Sequence, residues 1–140
     1  MDSMEESLKK RWSALFQFVN PAPFGGLFRV AEEVWKKRAG SCYDRNNTRS
    51  DHPGCSVTRI HSTLGPVRML HGTSRKDYRK DVIAIKNIYG KEHTTWFGGL
   101  DPIPMEIALW QQKKVWPAEK GRVDASELQA LNALCARRGW

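Results

Sequence analysis

Apolar residues recur at helical spacing early in the chain. Leu8, Trp12, Leu15, Phe16 and Val19 predict an amphipathic helix over 5–19, stopped by Pro21 and Pro23. Leu27, Val30, Ala31, Val34 and Trp35 keep the same rhythm and predict a second helix, ended by Gly40 after the Lys36-Lys37-Arg38 run. Residues 41–54 are polar and rich in turn formers (Asp44, Asn46, Asn47, Ser50, Pro53, Gly54) and read as a loop. Ser56 to Thr63 then alternates in the manner of a strand, with Val57 and Ile60 out of step. Leu64-Gly65-Pro66 makes a turn, and Val67 to His71 forms the second strand of a hairpin.

Beyond the hairpin, Thr73 or Ser74 can cap a helix, with Asp77 as a box-like partner. Tyr78, Val82, Ile85 and Tyr89 support that helix, although the β-branched residues of 81–89 leave a strand as the alternative. Thr94-Thr95-Trp96-Phe97 reads as a short strand, and Pro104 suits the first turn of a helix running to about Trp116. Asp124-Ala125-Ser126-Glu127 opens a last helix with Leu128, Leu131, Leu134 and Cys135 on one face. The order predicts one α+β domain over 1–140: a small antiparallel sheet flanked by N- and C-terminal helices.

The chain of 140 residues has the length of one ordinary domain, and six tryptophans add large packing units. No apolar run reaches membrane-spanning length, and the acidic Met1–Glu6 stretch lacks the apolar core of a signal peptide. Three cysteines, an odd number, point to free thiols in a reducing compartment. The formal net charge is +8. That surplus sits between Arg29 and Lys91, where fourteen Lys and Arg face six Asp and Glu. A local excess of this kind favours a polyanionic partner, nucleic acid before an anionic membrane surface.

Catalytic patterns are weak. Cys42, His52, Cys55 and His61 have zinc-ligand side chains, but they lack the close cysteine pair and close histidine pair of the common finger. Asp77, Asp81 and Lys86 are a poor copy of an acid–acid–lysine nuclease, because the last two stand five residues apart. No nucleophile elbow is present. The expectation is a protein without catalysis or cofactor; a zinc-binding or metal-dependent nucleic-acid-processing protein using the Cys/His set is the alternative. A third reading makes Arg137-Arg138-Gly139-Trp140 a docking tail.

The stronger pattern is basic. Arg59, Arg68, Arg75, Lys76, Arg79, Lys80 and Lys86 are interleaved with Ser56, Thr58, Ser62, Thr63, Thr73 and Ser74. Cations neutralise phosphates, and hydroxyls can bond the ribose 2′-OH that separates RNA from DNA.

Gly54-Cys55-Ser56, Gly65, Gly72-Thr73-Ser74-Arg75 and Ala84-Ile85-Lys86-Asn87 resemble the tombusvirus-type suppressors of RNA silencing. In the nineteen-kilodalton members a Gly-Cys-Thr strand start is followed by a Gly-Gly-Ser-Arg turn. Ala-Ile-Arg-Ser comes nine residues after that arginine, the interval from Arg75 to Ala84 here. The likeness covers about 35 residues, and the chain's size suits the fourteen-kilodalton suppressors of the related aureusviruses. The resemblance implies a viral α+β homodimer, joined through sheet edges, that cradles short double-stranded RNA in the host cytoplasm or nucleus without reading its sequence. By that likeness Arg68, His71, Gly72, Thr73, Ser74 and Arg75 would contact RNA, with Arg59 and Lys76 beside them. The family also stacks a pair of helix tryptophans on duplex ends. Here Trp12 and Trp35 are solitary candidates, each also fitting an apolar stripe.

Overall fold

The computed structural model describes residues 22–39, 50–58, 66–76 and 80–140. The expected helix over 5–19 lies outside them, as does Trp12. Seven antiparallel strands and three helices make up the described chain. The strands are β1 (Gly26–Ala31), β2 (Asp51–Ser56), β3 (Val67–Thr73), β4 (Ile83–Lys86), β5 (Thr94–Phe97), β6 (Ile103–Met105) and β7 (Val115–Arg122). The helices are α1 (Glu32–Ala39), α2 (Ala108–Gln111) and α3 (Ala125–Arg138). The sheet order is β4-β5-β3-β2-β1-β7. The first half of β3 pairs with β6 and its end pairs with β5. The sheet curls until the Lys120 amide of β7 donates to the Ile88 carbonyl just beyond β4, at 3.0 Å.

Both faces of the sheet are covered in its middle. Leu27, Cys55, Leu70, Ile83, Ile85 and Phe97 pack under Leu131, Leu134 and Cys135 of α3. Phe28, Val30, Val67 and Met69 pack with Val34 and Trp35 of α1 and Leu109 of α2. This two-sided burial overrides the helical rhythm expected from residue 27 onward. Leu27 and Val30 share a helical stripe on paper, yet they enter opposite cores, so residues 26–31 are a central strand and the helix begins at Glu32. In α1, Glu32 and Glu33 occupy the first turn and Lys36, Lys37 and Arg38 the last, as the helix dipole favours.

The expected loop over 41–54 gives way to β2 at Asp51. Pro53 is tolerated because the ladder to β3 covers only Gly54–Ser56, so its missing amide falls outside it. Gly54 is demanded by close approach: a Cβ there would stand 2.5 Å from Met69 Sδ. The expected helix after Ser74 is replaced by β4, where Ile83 and Ile85 go down into the core and Ala84 and Lys86 point away. Asn87, at φ 62°, turns the chain, and its amide donates to the His93 carbonyl at 2.7 Å to close the β4–β5 hairpin. Pro104 does not open a helix but pairs opposite Arg68 in the short strand β6; the helix is the single turn α2. The last helix is as expected. The Asp124 amide donates to Glu127 Oε1 at 2.9 Å, and Gly139 at φ 70° ends α3.

Candidate nucleic-acid interface

β3 carries most of the expected contact residues, and strand alternation sorts them. Arg68 is exposed, and its amide donates to Thr58 Oγ1 at 2.7 Å, tying β3 to the end of β2. His71 faces the α1 side. Its ring meets Trp35 edge-on at 4.8 Å and lies 5.5 Å from the ring of His52. Burial, and then the neighbouring His52, push its pKa down to about 4. The residue is half-buried with its Nε2 covered and its ring against Trp35, so in this structure His71 packs on the core rather than presenting that nitrogen to a ribose.

Gly72 is enclosed. An added Cβ would lie 2.6 Å from Thr95 Cγ2 and 2.7 Å from the Phe97 ring. Its role is to let β5 come close. Beyond it the chain emerges: Thr73 is half-buried, and Ser74, Arg75 and Lys76 are exposed. Thr73 Oγ1 accepts from the Arg75 amide at 3.2 Å, a hydroxyl turn that fixes where the arginine leaves the strand. Arg59 lies outside the described residues.

Trp35 is fully buried, and its indole N–H donates to the His52 carbonyl at 3.4 Å. It is a core residue in this structure, and stacking on a duplex end would require it to leave that core.

The electrostatics separate two classes of cation. Arg29 is held by Glu119 at 2.6 Å and by Asp51 at 3.5 Å, with Tyr89 beneath it at 4.1 Å. Arg38 pairs with Glu106, Lys114 with Glu33, Lys36 with Glu32, and Arg137 with Asp81. Lys120 pairs with both Asp124 and Glu127. Arg68, Arg75 and Lys86 have no acidic partner among the described residues. Lys37, Lys80, Lys91, Lys113 and Arg122 likewise lack an acidic partner among the described residues, so what sets Arg68, Arg75 and Lys86 apart is their place on β3, the turn after it and β4, beside the Thr73-Ser74 hydroxyls.

One residue beside the Thr73 turn carries no cation and does not stand out in the basic pattern of the sequence; it lies on the face of β3 opposite to that of Arg68. Thr73 pairs with Trp96, and Trp96 pairs with Ala84. These three share a face, with Lys86 opposite Thr94 beside them. Trp96 is partly exposed and belongs to neither core cluster, whereas its neighbour Phe97 is fully buried on the other face. The Lys76 ammonium lies 4.9 Å from the Trp96 ring centroid. The signal was present in Thr94-Thr95-Trp96-Phe97: alternation within it forces one of the two aromatics outward.

The zinc set does not assemble from its described half. His52 and Cys55 are three apart on β2, so their side chains leave opposite faces. His52 lies beside His71, while Cys55 lies in the α3 core with Cys135. Burial, and then the neighbouring Cys135 and Glu127, push the Cys55 thiol well up, which keeps it protonated and a poor ligand. Cys42 and His61 lie outside the described residues. Among those described, no group of three His, Cys, Asp or Glu is placed to hold a metal. The acid–lysine pattern does not converge either: Arg137 takes Asp81 through two bonds of 2.6 and 3.0 Å, and that pairing draws the carboxyl below its usual range. No described helix is long and apolar enough to cross a membrane.

No family model, curated protein or solved structure matches this chain. The functional reading therefore rests on the residues themselves.

Proposed function

We propose that this protein binds double-stranded RNA by shape and charge, and that as a viral homodimer it sequesters small interfering RNA and longer duplexes from a host silencing pathway. The observation that supports this reading is the pair of unneutralised guanidiniums on β3 and the turn that follows it. Arg68 and Arg75 stand exposed, with the hydroxyl turn Thr73-Ser74 between them and Lys76 after it. Guanidiniums bridge phosphate oxygens, hydroxyls reach 2′-OH groups, and neither interaction reads a base. Binding of this kind needs no catalysis and no cofactor. Trp35 sits in the core; if Trp12, outside the described residues, caps no duplex end either, long and short duplexes should bind alike.

The test is a gel-shift series with short and long double-stranded RNA, single-stranded RNA and DNA duplex at two salt concentrations. Duplex RNA of both lengths should bind more tightly than DNA duplex. Replacing Arg68 and Arg75 together by Ala should lower affinity at least tenfold and reduce the salt slope by about 2, close to one unit for each phosphate that an arginine neutralises. An unchanged affinity and slope would show that this surface is not where duplex RNA sits.

A further inference from the structure

We infer that the outward face of β3–β5–β4, centred on Trp96, is a stacking site for an unpaired RNA base. This rests on the proposed RNA binding and adds a substrate feature to it: duplexes with single-stranded ends. Thr73, Trp96 and Ala84 lie side by side across three strands, and Thr94 and Lys86 continue the same face. The other aromatic residue of β5, Phe97, is buried completely, yet Trp96 is left partly exposed. One ammonium group borders the ring, Lys76 at 4.9 Å from its centroid; Lys86, exposed and without an acidic partner among the described residues, lies on the same face further along β4, opposite Thr94. A flat aromatic surface bordered by hydroxyls and a cation offers a stack for a base, with charge for the adjoining phosphates. The interior bases of a duplex are covered on both faces by their neighbours and a terminal pair offers its one free face only end-on, whereas an overhanging or single-stranded nucleotide exposes both faces and can lie on a ring set in a sheet face, which makes it the occupant. The cationic border selects nucleic acid over an apolar peptide.

The site is read with 2-aminopurine, whose fluorescence falls on stacking, placed in the overhang of a short RNA duplex and in a single-stranded RNA. The wild-type protein should quench both. It should also bind the overhang duplex about five- to a hundred-fold more tightly than a blunt duplex, the range expected for one base–aromatic stack. Trp96→Ala should abolish the quench and bring affinity for the overhang duplex down to that for the blunt duplex measured with the same variant; Trp96→Phe should keep part of both. If Trp96→Ala fails to fold, Trp96→Phe and Lys86→Ala carry the test, each lowering the overhang preference. Equal affinity for blunt and overhang duplexes, or a quench that survives Trp96→Ala, overturns the inference. Quenching of the single strand without any duplex binding would sink the proposed function and leave this site standing; blunt-duplex binding without quenching would do the reverse.

Discussion

His71 and Gly72 stand in the middle of the stretch with the strongest RNA-binding pattern, and both face inward. Their chemistry is legible in a different measurement. His71 is neutral in the fold, with a pKa lowered to about 4 by burial and by His52. An unfolded histidine titrates near pH ~6.5, so the unfolded chain binds the proton first as pH falls. Stability is therefore full above about pH 6.5 and is lost as pH drops toward about 4, by a total on the order of 3 kcal/mol. Urea denaturation across that range should show the loss, and His71→Phe should flatten most of it. Gly72→Ala forces a methyl against Thr95 and Phe97 and should cost about 1–3 kcal/mol in the same assay. A fall in RNA affinity in that variant should track unfolding, unlike the fall in the Arg68 and Arg75 double variant.

At the scale of elements, the ladder at β4 and the helix α3 are joined through one carboxylate. Glu127 accepts from the Lys86 amide at 2.7 Å, from the Asp124 amide at 2.9 Å and from Lys120 Nζ at 2.8 Å. Lys120 Nζ also donates to the Lys86 carbonyl at 2.6 Å, so the outer edge of β4 is occupied by a side-chain pair rather than open to another strand. Burial pushes the Glu127 carboxyl up, but these hydrogen bonds outweigh it and the net shift is downward. The stability it contributes is present above the unfolded carboxylate value near pH ~4.3 and fades as pH falls through the lower folded value. Glu127→Ala leaves Lys120 and the Lys86 amide without their acceptor and should cost about 2–3 kcal/mol by thermal or urea unfolding. α3 itself was legible from its cap and its apolar stripe, because both are local. β1 and β4 were not, because their short apolar runs fit either period. Packing on two faces at β1, and the closure of a hairpin at Asn87, chose the strand in each case.

For the whole molecule, the curl leaves β4 and β7 outermost. β4 is blocked by Glu127 and Lys120. β7 carries Pro117, whose missing amide interrupts strand addition, and its Lys120 amide is already used by Ile88. Among the described residues, an edge-joined dimer can pair through the start of β7, near Val115 and Trp116, or through the short strand β6, which pairs with β3 alone. Light scattering on the free protein should show a dimer at micromolar concentration, and Pro117→Val should tighten it by restoring a ladder donor. A monomer at every concentration, with and without duplex RNA, would remove the dimer from the proposed function. By itself the sequence determined the charge excess, the α+β class, the strand at Val67–His71, the Thr94–Phe97 strand and the final helix, since composition, alternation and caps act locally; the strand expected over 56–63 shares only Ser56 with β2, which runs over Asp51–Ser56 where a loop was expected. Only the tertiary structure decided which side chains of β3 and β5 meet solvent. β3 alternates between two faces that are both packed along its middle, β5 between one packed and one open, and what covers each face is set by segments far away in sequence: Trp35 closes over His71, Phe97 closes over Gly72, and Trp96 is left at the surface.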